Sequence, residues 1–147
     1  MANIFQFIFG APPQRTLTPQ EAFAGILFGA CLCDGDVAEV EIQGLIPCLS
    51  RMDLYDGYDG VKCDRTIDNA RKAMQQVGFD VYLDQCVSAL PADLRETAYA
   101  NACNIVLADG IFEESEKKFI ESLRDELNID PTTADQIMEI ITIKNRG

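Results

Sequence analysis

Histidine is absent from the 147 residues. Its absence removes Ser-His-Asp and Cys-His catalysis and every metal site that depends on imidazole, the Glu-x-x-His di-iron bundle included. Tryptophan is absent too, which decides nothing. Positive charge is scarce: 12 Lys and Arg stand against 24 Asp and Glu, a net charge of −12. That balance repels nucleic-acid phosphates and disfavours charge-driven binding to anionic membranes. It suits cations instead, either metal ions or basic patches on proteins. No apolar run approaches the roughly 20 residues that a membrane-spanning helix needs. The stretch Ile4-Phe5-Gln6-Phe7-Ile8-Phe9 is short, lacks a positive leader and runs into Gly10-Ala11-Pro12-Pro13. It reads as part of an N-terminal arm over residues 1–15, with core cover its simplest role. No secretory signal is visible. Cysteines 31, 33, 48, 63, 86 and 103 are therefore expected as reduced thiols in a cytosolic protein. A phosphate-binding glycine loop is also missing.

What remains is ordinary globular material, 48% apolar and 24% charged, enough for one domain over residues 16–147. No stretch alternates convincingly with period two, so the expected fold is all-α, a bundle of about seven helices. Thr18, Pro19 and Glu21 make a capping box that starts the first helix, with Phe23, Ile26, Leu27, Ala30 and Cys31 inward and Asp34-Gly35 at its end. A second helix runs from about Ala38 to Met52 over Ile42, Leu45, Ile46 and Leu49, with Pro47 inside it as a kink. Residues 53–63 read as a solvated loop, and Asp64 as the cap of a third helix that Gly78 stops. The fourth covers about Asp80–Ala89. Pro91 opens the fifth, with Leu94, Ala98, Ala102, Ile105 and Val106 inward. The sixth spans about Glu113–Leu127 over Phe119, Ile120 and Leu123. Asp130-Pro131 starts the seventh, whose apolar face is Ile137, Ile140 and Ile141.

One element occurs twice. Residues 34–41 and 109–116 both read Asp-Gly-x-apolar-x-Glu-x-Glu, a displacement of 109 − 34 = 75 positions. Each copy follows one helical run and opens another, so the repeat is a duplicated helix hairpin, the two copies related by a pseudo-two-fold axis. Asp34 and Asp109 sit at helix C-termini, where the dipole disfavours a carboxylate by about 0.3–1 kcal/mol. Glu39, Glu41, Glu114 and Glu116 fall in first turns, where it favours one. For a single copy, Asp-Gly turns and glutamate capping explain the pattern well, with Val37 and Phe112 as hydrophobic staples. Two copies packed face to face would gather four to six carboxylates. A hard cation such as Ca²⁺ or Mg²⁺ relieves such repulsion, and Zn²⁺ is less natural without histidine. The spacing is not an EF-hand: from Asp34, the sixth position is Glu39 rather than Gly and the twelfth is Leu45.

Leu107-Ala108-Asp109-Gly110-Ile111-Phe112-Glu113-Glu114-Ser115-Glu116, followed by Phe119, Ile120 and Leu123, resembles the TerB (tellurite resistance protein B) family. Asp34 to Glu41 fits that family's first turn, and the resemblance covers roughly residues 16–145. Cys33 stands where the family favours Ala, and Ala38 and Glu113 where it commonly places Ser or Thr as N-caps. The resemblance implies a compact helical bundle with an acidic metal-binding surface, acting as a non-enzymatic module of a tellurite-resistance and stress-response complex. It implies protein partners and a cytoplasmic location peripheral to the inner membrane. It assigns the metal to Asp34, Glu41, Asp109 and Glu116, with Glu39 and Glu114 secondary. The residue-level alternative is a metal-free acidic module that binds a basic partner.

Two further groups carry weaker signals. Cys31 and Cys33 could hold a soft metal or reduce an oxyanion. Residues two apart on a helix do not face each other, however, and acidic neighbours raise a thiol pKa, so core packing explains them better. Asp53, Asp56, Asp59 and Asp64 are calcium-loop candidates, but the twelfth position from Asp56 is Ile67 rather than Glu, and a solvated loop is the better reading.

Overall fold

The first helix, α1 (Pro19–Leu32), is buried at every position from Ala22 to Cys31. A helix apolar on all sides belongs in the middle of a bundle. In the computed structural model, which describes residues 16–33, 39–108 and 112–146 (backbone only for 39–43), α1 is that central element. Its capping box forms as expected: the Glu21 N–H donates to Thr18 Oγ1 at 3.1 Å, and the Thr18 N–H to Glu21 Oε1 at 3.3 Å.

Around it lie α2 (Glu39–Ser50), α3 (Gly60–Val77), α4 (Phe79–Ala89) and α5 (Arg95–Val106), followed by α6 (Glu114–Glu126) and α7 (Pro131–Lys144). The described residues contain seven α-helices and no strand, so the fold is an all-α bundle. Gly25 and Gly29 lie four apart, on one face of α1. That face receives α4: a Cβ on Gly25 would collide with Cys86 Sγ, and one on Gly29 would come within 3.3 Å of Leu83 Cδ1.

Three expectations need correction here. The third helix starts at Asp59, not Asp64: Asp59 Oδ1 accepts the Lys62 N–H at 2.8 Å, and Asp64 sits exposed inside α3. Both aspartates precede a usable apolar stripe, but only the earlier start lets Cys63 join Thr66, Ile67, Ala70 and Met74 on the buried face. The preceding segment is a solvated loop only in part: Asp53, Asp56, Gly57 and Asp59 are exposed, but Tyr55 is buried. Residues Asp53–Tyr55 form a 3₁₀ turn, and the buried Tyr55 hydroxyl donates to the Gln20 carbonyl at 2.7 Å while Gln20 Nε2 donates to the Leu54 carbonyl at 3.2 Å. Finally, Ile140 is 64% exposed. The inward face of α7 is Ala134, Ile137 and Ile141, and Ile140 lies about 100° from Ile141 around the axis.

The other boundaries follow their signals. Gly78 ends α3 at φ +94°, a conformation glycine adopts without cost, and its N–H bonds the Met74 carbonyl at 2.9 Å. Pro47 lies inside α2. Pro91 leads into a 3₁₀ turn, Ala92–Leu94, before α5 proper begins. Asp130 caps α7 by accepting the Thr133 N–H at 3.3 Å. Gly35, Val37, Ala38, Gly110 and the side chain of Ile42 lie outside the described residues, as does the arm over residues 1–15.

Candidate functional site

The helices that precede the two Asp-Gly turns, α1 and α5, pack against each other. Their C-terminal ends border the same cavity, of about 270 Å³. Ala30 and Cys31 line it from α1, Leu45 and Cys48 from α2, Asn104 from α5, and Glu116 from α6. Ala108, beside the second turn, lines it too. Described residues of both helix pairs, α1 with α2 and α5 with α6, therefore border one cavity.

Of the six proposed ligand residues, Asp34 and Asp109 lie outside the described residues, as do the side chains of Glu39 and Glu41. Glu114 and Glu116 are placed. Glu114 opens α6 and is exposed. Glu116, two residues on, is only 7% exposed. Its Oε1 accepts the Glu113 N–H at 3.0 Å, which satisfies a backbone donor that the helix cannot. The helix N-terminus favours its charge as well. A glutamate thus occupies the N-cap position where Ser or Thr would be usual. Phe112, the expected staple, packs half-buried against the core, and the residue facing it is Lys117, whose Nζ sits 5.8 Å from the ring centroid.

Among the described residues no three Cys, Asp or Glu side chains gather as a metal site. The proposed ligands that are described are carboxylates, whose oxygens match a hard cation rather than a soft one.

Four residues at this site escaped the sequence reading. Cys48 and Asn104 line the cavity. Lys144 Nζ donates to Asn104 Oδ1 at 3.2 Å, and Asn145 Nδ2 donates to the Leu107 carbonyl at 3.4 Å, so the end of α7 is tied to the end of α5. A signal for Asn104 existed, because asparagine is a poor helix former inside an otherwise small and apolar run. The pairing with Lys144, 40 residues away, had none.

The thiols divide into three groups. Cys63, Cys86 and Cys103 are fully buried, and burial pushes the Cys86 and Cys103 thiols up to about 12. Cys33 donates to the Ala30 carbonyl at 3.1 Å. Cys31 and Cys48 line the cavity instead.

A family model for tellurite resistance protein TerB matches residues 20–139. The chain belongs to the TerB family. The match opens in α1, closes in α7 and contains both Asp-Gly turns. No curated protein and no solved structure matches the chain. No helix among the described residues of this TerB-family chain is long and apolar enough to cross a membrane.

Proposed function

We propose that this TerB-family chain is a non-enzymatic module that holds a divalent cation at its paired acidic turns and docks a protein partner through the same surface. The observation that carries this reading is the shared cavity: the ends of α1 and α5, which lead into the two turns, border one space with the buried Glu116 on its wall. Asp34, Glu41, Asp109 and Glu116 would hold the ion, with Glu39 and Glu114 at its edge. The ion would neutralise clustered carboxylates and tie the two hairpins together. Oxygen donors favour Ca²⁺ or Mg²⁺ over Zn²⁺.

The protein's own residues prepare the place. The Glu113 N–H fixes the Glu116 carboxylate, so little freedom is lost when a ligand arrives. A net charge of −12 draws cations and basic surfaces towards it. Family membership supports a role in tellurite resistance and stress response, in a cytoplasmic complex at the inner face of the membrane.

Calorimetric titration of Ca²⁺, Mg²⁺ and Zn²⁺ into wild type and into Asp34→Asn/Asp109→Asn tests the reading. Binding of one hard cation, lost in the variant, supports it; equal heats in both proteins refute it. One observation favours the metal-free alternative: Glu116 already spends an oxygen on capping. That alternative predicts partner binding that weakens with salt and ignores chelators.

A further inference from the structure

The last helix carries more apolar surface than its neighbours cover. α7 packs mainly on α5. Of its four isoleucines, Ile141 is buried and Ile137 half-buried, while Ile140 and Ile143 are 64% and 53% exposed. Ile137, Ile140 and Ile143 follow one another at three-residue steps, so they form a strip along one flank. The exposed valines make no strip of that kind. Val61 and Val77 stand at opposite ends of α3, about 24 Å apart, and Val81 lies beyond Gly78 in α4.

A second apolar excess lies in the sequence. Residues 2–14 hold no ionisable side chain, in a chain that is 24% charged overall, and residues 4–9 read Ile-Phe-Gln-Phe-Ile-Phe. An uncharged run of aromatic and β-branched residues is prone to aggregate when left in water, so it needs cover.

The arm is long enough to reach the strip. α1 and α5 end at the same cavity, and α7 ends beside α5. The strip therefore lies towards the end of the bundle away from Thr16, at most roughly 21 Å along the axis, the length of the 14-residue α1. α5 contacts both α1 and α7, which adds about 16–20 Å sideways at one helix spacing each. The distance to span is thus at most roughly 30 Å. Residues 9 to 4 precede Thr16 by 7 to 12 positions, about 23–40 Å of extended chain. A second copy of the protein is the poorer occupant. A stable interface needs about 800 Å² from each partner, and two exposed isoleucines with part of a third fall well short. A tethered segment needs far less, because its docking is intramolecular.

We propose that the N-terminal arm docks residues 4–9 of its own chain on the flank of α7 formed by Ile137, Ile140 and Ile143. Each apolar excess covers the other, and the arm ties the first helix to the last. The contact stands whether or not the acidic turns hold a cation.

Photocross-linking on the full chain tests this. Phe7→benzoylphenylalanine, and separately Phe5→benzoylphenylalanine, is irradiated and the products are mapped by mass spectrometry. The expected cross-link joins the arm to residues 137–143 of the same chain, with a yield that does not fall on dilution. Ile140→Ser/Ile143→Ser in the same background should lower that yield at least about tenfold, because two buried isoleucine side chains are lost. Both isoleucines are exposed among the helices, so their loss should leave the helical spectrum unchanged. Val77→Ser/Val81→Ser should leave the yield as it is. Cross-links between two chains that fade on dilution would assign the strip to a second copy and overturn the proposal. Cross-links only around Val77 and Val81, or none above those of the urea-unfolded chain from either probe, would overturn it as well.

Discussion

Glu116 and Glu113 close the start of α6 on each other: Glu116 Oε1 accepts the Glu113 N–H at 3.0 Å from a buried position. One side chain thereby serves two ends, a helix cap and a cavity wall. Glu116→Ala should cost about 0.5–2 kcal/mol in urea denaturation, the usual cost of losing a cap. Glu116→Gln keeps an acceptor oxygen and should recover most of that loss. Under the hard-cation reading the same Gln variant still weakens Ca²⁺ binding, because the charge is gone. Equal Ca²⁺ affinity in Glu116→Gln and wild type would remove Glu116 from the ligand set.

Gly25 sets how closely α4 approaches α1. Gly25→Ala should destabilise by about 1–3 kcal/mol, since the added methyl meets Cys86 Sγ in a packed core. Cys86→Ala in that background should return part of the loss. A double-mutant cycle measures the coupling, and strictly additive effects would mean that another contact sets the spacing.

The thiols should react in the order that their surroundings dictate. Cys86 and Cys103, pushed up to about 12 by burial, are protonated at pH 8 and shielded. Native alkylation read by mass spectrometry should label Cys48 first and leave Cys63, Cys86 and Cys103 unmodified until the chain unfolds. Early labelling of Cys86 would contradict the packing of α4 on α1.

Glu126 should oppose folding at neutral pH. Its side chain is exposed, but partial desolvation raises its carboxyl pKa, and the charges of Asp84 and Asp80 raise it further. The folded state therefore holds this proton more tightly than the unfolded chain does. Stability from this group is full below the ordinary glutamate range and is lost as pH rises through the raised folded value. Glu126→Gln should raise Tm at pH 7 and leave it unchanged near pH 3. A lower Tm at pH 7 would show that the carboxylate is stabilised rather than strained.

Much of this arrangement is legible in the sequence, and what escapes has physical causes. Thr18, Gly78 and Asp130 mark helix ends because capping is local chemistry, decided within four residues. Asp59 and Asp64 compete as caps on equal local terms, and burial of Cys63 decides between them. Spacing alone puts Ile140 inward, whereas α7 packs mainly on α5 and leaves that face uncovered. The two turns announce themselves by repetition, and Glu116 by its place in the motif. Cys48 and Lys144 announce nothing, because only the packing of α2 brings Cys48 to the cavity and only that of α7 brings Lys144 to Asn104.

A crystal structure grown with Ca²⁺ tests the central claim most directly. The account predicts density for one ion bounded by Asp34 and Asp109, with Glu41 and Glu116 among its ligands. Well-ordered turns with no ion between them, or an ion held only by carboxylates elsewhere on the bundle, would contradict it.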